Sequence, residues 1–165
     1  MQQKDVPWRV TDVLLLPQAL LTTLEQRLDQ MAANLGASSL VADWEVCGSY
    51  AFGCAEAHSD IDIQWAAHDW TEMEMVGHLM YGTQDGVLRF LEERDAISND
   101  LKISIDVVLT NPDNKSYNIC YSLRERKLYN RNPDQVISTR RRWDAGLKKW
   151  YDTPRLARTT LFPPE

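Results

Sequence analysis

Three cysteines and three histidines in 165 residues leave little material for a disulfide frame or a soft-ligand metal centre. Cys47, Cys54 and Cys120 are odd in number and lack Cys-x-x-Cys spacing, which favours reduced thiols over bridges. Cys54 and His58 lie four apart beside Cys47, but with no second ligand pair that spacing does not make a zinc site. His58, His68 and His78 are scattered and read as core or surface imidazoles. No apolar run approaches the roughly twenty residues that a bilayer requires, so no membrane partner is expected. The opening Met-Gln-Gln-Lys-Asp lacks the basic start and apolar stretch of a signal peptide. Repeats, low-complexity tracts and Gly/Ser-rich linkers are absent too. These absences lead to the expectation of a cytoplasmic protein folded as one domain over residues 1–165, too short to carry a second large substrate domain.

Charge is present but unevenly placed. The net charge is −6, yet residues 124–165 hold eleven Lys or Arg against five Asp or Glu, a local +6 that leaves −12 on residues 1–123. Such a basic segment suits nucleic acid, an acidic partner or a triphosphate, with a solvated helix face as the plain alternative. Arg140, Arg141, Arg142, Lys148 and Lys149 lie within it, in a stretch that reads as a last helix opening at Asn132-Pro133 and reaching about Tyr151. The expected layout is thus a core over about 12–130 and a basic C-terminal helix and irregular tail over about 131–165.

Periodicity supplies the other elements. Pro17 to Leu35 reads as a helix, with Leu20, Leu21, Leu24, Leu28 and Met31 apolar at helical spacing and Gly36 past the end. Leu40–Cys47 and Asp60–Trp65 read as strands. Asp69 or Thr71 caps a helix over 72–81, broken at Gly82, and a second helix over 86–95 ends in a Ser98-Asn-Asp turn. Lys102–Leu109 is the next strand, Asn111-Pro-Asp-Asn a turn, Tyr117–Leu123 a helix and Arg126–Tyr129 a short edge strand. This order predicts an α/β (α+β) fold with one small mixed sheet and helices packed on it.

The chemistry concentrates in residues 47–62, where Gly48-Ser49 is followed by a ten-residue spacer and Asp60-Ile-Asp62. Gly48 lets the chain turn sharply and come close to a ligand, and Ser49 adds a hydroxyl and an amide. A helical turn over Tyr50–Cys54 would aim further amides at the same point. On a strand, Asp60 and Asp62 share one face while Ile61 and Ile63 take the other. Two carboxylates about 7 Å apart repel unless a cation lies between them, and oxygen ligands suit Mg²⁺. Asp106, flanked by Ile105 and Val107, is a costly acid in an apolar strand and makes a natural third ligand.

Gly48-Ser49, the spacer, Asp60-x-Asp62 and the strand acid Asp106 resemble the DNA polymerase β nucleotidyltransferase superfamily and, in size and layout, its minimal nucleotidyltransferase branch. The resemblance spans roughly residues 40–130. It implies that Gly48 and Ser49 hold the phosphates of a nucleoside triphosphate. It implies too that Asp60, Asp62 and Asp106 ligate two Mg²⁺ ions, or Mn²⁺, with Asp106 orienting the acceptor hydroxyl. The implied reaction transfers a nucleoside monophosphate, AMP from MgATP, to a hydroxyl and releases pyrophosphate. For stand-alone members it implies an antitoxin-like adenylylation of a HEPN-type toxin. Nucleotide addition to an RNA 3′ end, small-molecule adenylylation and a non-catalytic binding module remain open alternatives. Tyr50 and Phe52 stand where many members carry basic residues, which leaves the phosphate charge to be met elsewhere. Lys102 and Arg126 are candidates for that charge, and Tyr117 with Tyr121 for stacking on a base.

Overall fold

The computed structural model describes residues 13–52, 55–110, 119–130, 136–144 and 149–156. Its main body is a five-stranded mixed sheet in the order β3-β2-β1-β4-β5, built from β1 (Asp43–Cys47), β2 (Ile61–Ala66), β3 (Ile105–Thr110), β4 (Ile119–Ser122) and β5 (Lys127–Asn130). Strand β1 runs antiparallel to β2 and β4, and β4 antiparallel to β5, whereas β2 and β3 are parallel. A parallel pair requires a long crossover. Helices α3 (Trp70–Tyr81) and α4 (Gln84–Leu101) provide it.

One sheet face is apolar because each strand alternates. Trp44, Val46, Ile61, Ile63, Trp65, Ile105, Val107 and Tyr121 are buried in one cluster with Leu21, Leu24, Leu28 and Met31 of α1 (Gln18–Asn34), Val76 and Met80 of α3, and Phe90 and Ile97 of α4. Trp44 and Trp65 are register partners whose rings meet edge to face, 4.9 Å between centroids. Their indoles are satisfied: Trp44 Nε1 donates to Asp29 Oδ1 at 2.8 Å and Trp65 Nε1 to the Leu40 carbonyl at 3.2 Å. Unpaired, a buried donor of this kind would cost about 1–3 kcal/mol.

Helix ends follow their local chemistry. At the end of α1 Gly36 takes φ +73°, and the Ala37 amide returns to the Ala32 carbonyl at 2.8 Å. Asp69 caps α3 by accepting from the Glu72 amide at 2.9 Å, and Thr83 caps α4 by accepting from the Gly86 amide at 3.0 Å.

Four expectations need correction. Helix α4 extends through the supposed Ser98-Asn-Asp turn to Leu101, since Ile97 continues the buried stripe begun at Phe90 and Leu101 packs against the core. Residues 119–122 form a strand, not part of a helix: Tyr121 pairs with Val46 on the core face, and Ser122 pairs with Glu45 on the other. The basic C-terminal helix is a hairpin of β6 (Val136–Asp144) and β7 (Lys149–Leu156), a separate two-stranded sheet. Its segments are rich in β-branched and aromatic residues, Val136, Ile137, Thr139, Trp143, Trp150, Tyr151 and Thr153, and that content prevails over the apparent helix opening. Residues 153–156, expected to belong to the irregular tail running from Thr153 to Glu165, lie in β7. Strand β5 does lie at the sheet edge, as expected. Cys54, the 111–114 turn, Tyr117, Asn132, Pro133, Lys148 and residues 157–165 lie outside the described residues.

Candidate functional site

The β1–β2 connection begins at Gly48, where φ is +68°. A Cβ added there would stand 2.1 Å from Asp62 Oδ2 and 3.1 Å from its Cγ. Both observations require glycine: the left-handed backbone disfavours a side chain, and the Asp62 carboxylate occupies the space one would need. A short helical segment, α2 (Gly48–Phe52), follows at once, with Ser49 buried in its first turn at 4% exposure. The helical turn thus starts two residues earlier than expected and includes the Gly-Ser pair itself.

Asp62 is the centre of the arrangement. It is the register partner of Cys47 in β1 and of Asp106 in β3. Adjacent strands lie about 4.8 Å apart, so the two acids are neighbours on the face opposite the core. Ile61 and Ile63 are fully buried on the core face, which fixes the register and keeps Asp62 and Asp106 out of the apolar layer. Asp60 precedes β2 by one residue and is exposed, so it is not within the strand as expected. The strand start is secured instead by the Ile61 amide donating to the Ser104 carbonyl at 2.9 Å.

Asp60 and Asp106 line a polar cavity of about 430 Å³ together with Arg94, Asp95, Ser98 and Asn99 of α4. Arg94 Nη1 approaches Asp106 Oδ1 to 3.8 Å, and the same guanidinium bonds Asp95 Oδ1 through Nε and Nη2 at 3.3 and 3.2 Å. Ser98 Oγ accepts from the Ile105 amide at 3.1 Å and so ties α4 to the strand that carries Asp106. Tyr81 lies within electrostatic range of the cavity: partial burial raises its phenol pKa, the Asp106 charge raises it further and Arg94 opposes.

Among the described residues, the two thiols near the site, Cys47 and Cys120, are buried. Cys47 donates to the Asp62 carbonyl, with Sγ 3.5 Å from the oxygen, and burial, then Cys120, then Asp62 push its pKa well above the usual thiol range. Cys120 is buried as well, and its sulfur accepts from Gln64 Nε2 at 3.0 Å.

Among the described residues, no three Asp, Glu, His or Cys side chains are grouped closely enough to hold a metal ion as they stand. The donor chemistry nevertheless fits a hard divalent cation. Asp62 and Asp106 are register partners on adjacent strands and offer oxygen donors, Asp60 is two residues before Asp62, and the missing side chain of Gly48 makes room for the Asp62 carboxylate. Asp60, Asp62 and Asp106 are therefore the residues that would hold Mg²⁺, with the Gly48-Ser49 turn alongside.

Sequence reasoning missed Arg94, Asp95, Ser98 and Tyr81. Ser98 required knowing that α4 runs past residue 95; Arg94 and Asp95 lay within the expected helix, but nothing local marked them, or Tyr81, as facing Asp106. Arg126 is placed elsewhere, 3.7 Å from Glu25 and bonded to Thr22 Oγ1 at 3.1 Å on α1. Lys102 ends α4 in the left-handed region, at φ +58°. Tyr121 is a core residue, 2% exposed. Compared with family models, curated proteins and solved structures, the chain matches none.

Proposed function

We propose that the protein is a metal-dependent nucleotidyltransferase that moves a nucleoside monophosphate, AMP from MgATP, onto a hydroxyl acceptor. The observation that carries the reading is the pairing of Asp62 with Asp106 across parallel strands, with the Asp62 carboxylate resting over Gly48. Acids adjacent to a Gly-Ser turn match the needs of phosphoryl chemistry, in which positioning and charge stabilisation matter most. When bound, divalent cations would supply charge neutralisation at the attacking and leaving oxygens.

The chain's own residues divide the remaining work. Gly48 and Ser49 receive the triphosphate at the turn. Asp60 and Asp62 would hold the divalent cation and so orient the nucleotide. Asp106 faces the cavity and takes the proton from the acceptor hydroxyl as that oxygen bonds to the α-phosphorus and the bond to the pyrophosphate oxygen breaks. The cavity beside Asp106 has room for the acceptor side chain or sugar.

A protein hydroxyl, such as a tyrosine of a HEPN-type toxin, is the acceptor that the resemblance favours. An RNA 3′ end is the second reading, motivated by the basic content of residues 124–165. RNA binding of that kind weakens steeply with salt and with neutralisation of Arg140, Arg141 and Arg142; salt-insensitive binding removes this reading. The test of the site is nucleotide binding by an Asp60→Asn, Asp62→Asn double variant. Mg²⁺-dependent ATP binding is expected to vanish or weaken strongly, and unchanged metal-dependent binding would overturn the assignment.

A further inference from the structure

The Gly-Ser turn is followed by Tyr50 and Ala51, neither of which offers a positive charge to a triphosphate. Of the described residues lining the cavity beside Asp106, Arg94 is the only cation. Its guanidinium is divided between two acids. Nε and Nη2 grip a single oxygen of Asp95, the next residue on the helix, and Nη1 faces Asp106 at 3.8 Å, beyond a close hydrogen bond. The Arg94 side chain is 28% exposed and that of Asp106 49%, so the pair is partly screened and separable.

We infer that Arg94 is the resident counter-cation of Asp106: guanidinium and divalent cation compete for that carboxylate, and the guanidinium, still tethered by Asp95, serves the nucleotide's phosphates once the cation has taken its place. The inference rests on the nucleotidyl-transfer reading and deepens it by assigning the missing phosphate charge to a residue of α4. Without a cation, Asp106 next to Asp62 would face like-charge repulsion, which Arg94 relieves. With the cation bound, that relief is redundant, and a planar fork of donors suited to phosphate oxygens becomes available in the same cavity. Arg94 is thus a phosphate-binding residue, and Asp95 a positioning residue acting through it.

The competition gives Arg94 opposite effects on two ligands, a signature that misfolding cannot imitate. In Arg94→Gln, affinity for Mn²⁺ alone, followed by electron paramagnetic resonance of the free ion, is expected to rise about two- to fivefold because a partly exposed ion pair no longer competes. Affinity for ATP with saturating Mg²⁺, measured by calorimetry, is expected to fall about tenfold or more with loss of a charged hydrogen-bond donor. Arg94→Lys keeps the charge and should hold Mn²⁺ affinity near wild type while still weakening ATP. If Arg94→Gln leaves both affinities unchanged, lowers both or raises both, the inference is overturned. It then fails alone when the wild-type protein binds both Mn²⁺ and MgATP; a wild-type protein that takes up neither Mn²⁺ nor ATP overturns the functional reading with it.

Discussion

Replacing Gly48 by alanine separates two costs that the structure places at one residue. The first is conformational: holding an L-residue at φ +68° costs about 1–2 kcal/mol. Loss of glycine's freedom in the unfolded chain offsets about 0.4–1 kcal/mol of that. The second cost is steric. The new methyl would lie 2.1 Å from Asp62 Oδ2, so the carboxylate must move, at about 1–3 kcal/mol on the scale of overpacking. In Asp62→Ala the oxygen and Cγ are gone, and the nearest remaining contact is Asp62 Cβ at 3.3 Å, which asks the neighbour to give only slightly. Urea unfolding of wild type, both single variants and the double variant therefore forms a cycle with a defined expectation. Gly48→Ala should cost about 2–4 kcal/mol in the wild-type background and about 1 kcal/mol with Asp62→Ala, a coupling of about 1–3 kcal/mol. Equal costs in the two backgrounds would refute the close approach of the turn to Asp62. In the single variant the displaced carboxylate should also reduce nucleotidyl transfer about 100-fold, since a shift of roughly 1 Å at such a site has that scale.

Asp106→Asn is expected to retain nucleotide binding through Gly48, Ser49, Asp60 and Asp62 while turnover falls at least about 100-fold, the scale of an acid-base contribution; near wild-type turnover in a single-turnover assay would remove Asp106 from proton transfer. Asp43 gives a pH prediction. Burial raises its carboxyl pKa, although Ser122 Oγ donates to it at 2.5 Å and the Trp44 amide at 2.7 Å. A folded pKa above the unfolded value means that the native state binds more protons, so the contribution is fully present below the unfolded pKa and is lost as pH rises through the folded pKa. The stability of wild type relative to Asp43→Asn should accordingly decline as pH rises from the ordinary aspartate range through the raised folded-state pKa, and a difference that is flat or grows with pH in urea titrations would contradict the buried-carboxylate account.

The parts of the fold legible in the sequence are those whose signal is local. Helix α1 carries its own stripe of leucines and its own glycine stop, and β2 alternates Ile61 and Ile63 against Asp62 strictly enough to fix which face is polar. Gly48 was legible as a turn, but the reason it must be glycine, the Asp62 oxygen above it, belongs to tertiary structure. Strand β4 is four residues long and owes its state to Val46 and Glu45 beside it, so helix and strand patterns could not be told apart from its own residues. Ser98, Asn99 and Asp100 are turn formers by composition, yet burial of Ile97 and packing of Leu101 carry α4 through them. The missed extension concealed Ser98 and Asn99, and the packing of α4 against β3, a tertiary contact, concealed Arg94; with both in place, a site read as three carboxylates acquires a cation and a serine anchor.

Transfer of label from α-³²P ATP tests the central claim most directly, with the full chain, Mg²⁺ and a lysate as the source of acceptors. The account predicts label on a protein or nucleic-acid acceptor together with release of pyrophosphate, both lost with chelator and in the Asp60→Asn, Asp62→Asn variant. Equal labelling by wild type and that variant, or no transfer from any of the four nucleoside triphosphates with either Mg²⁺ or Mn²⁺, would contradict it.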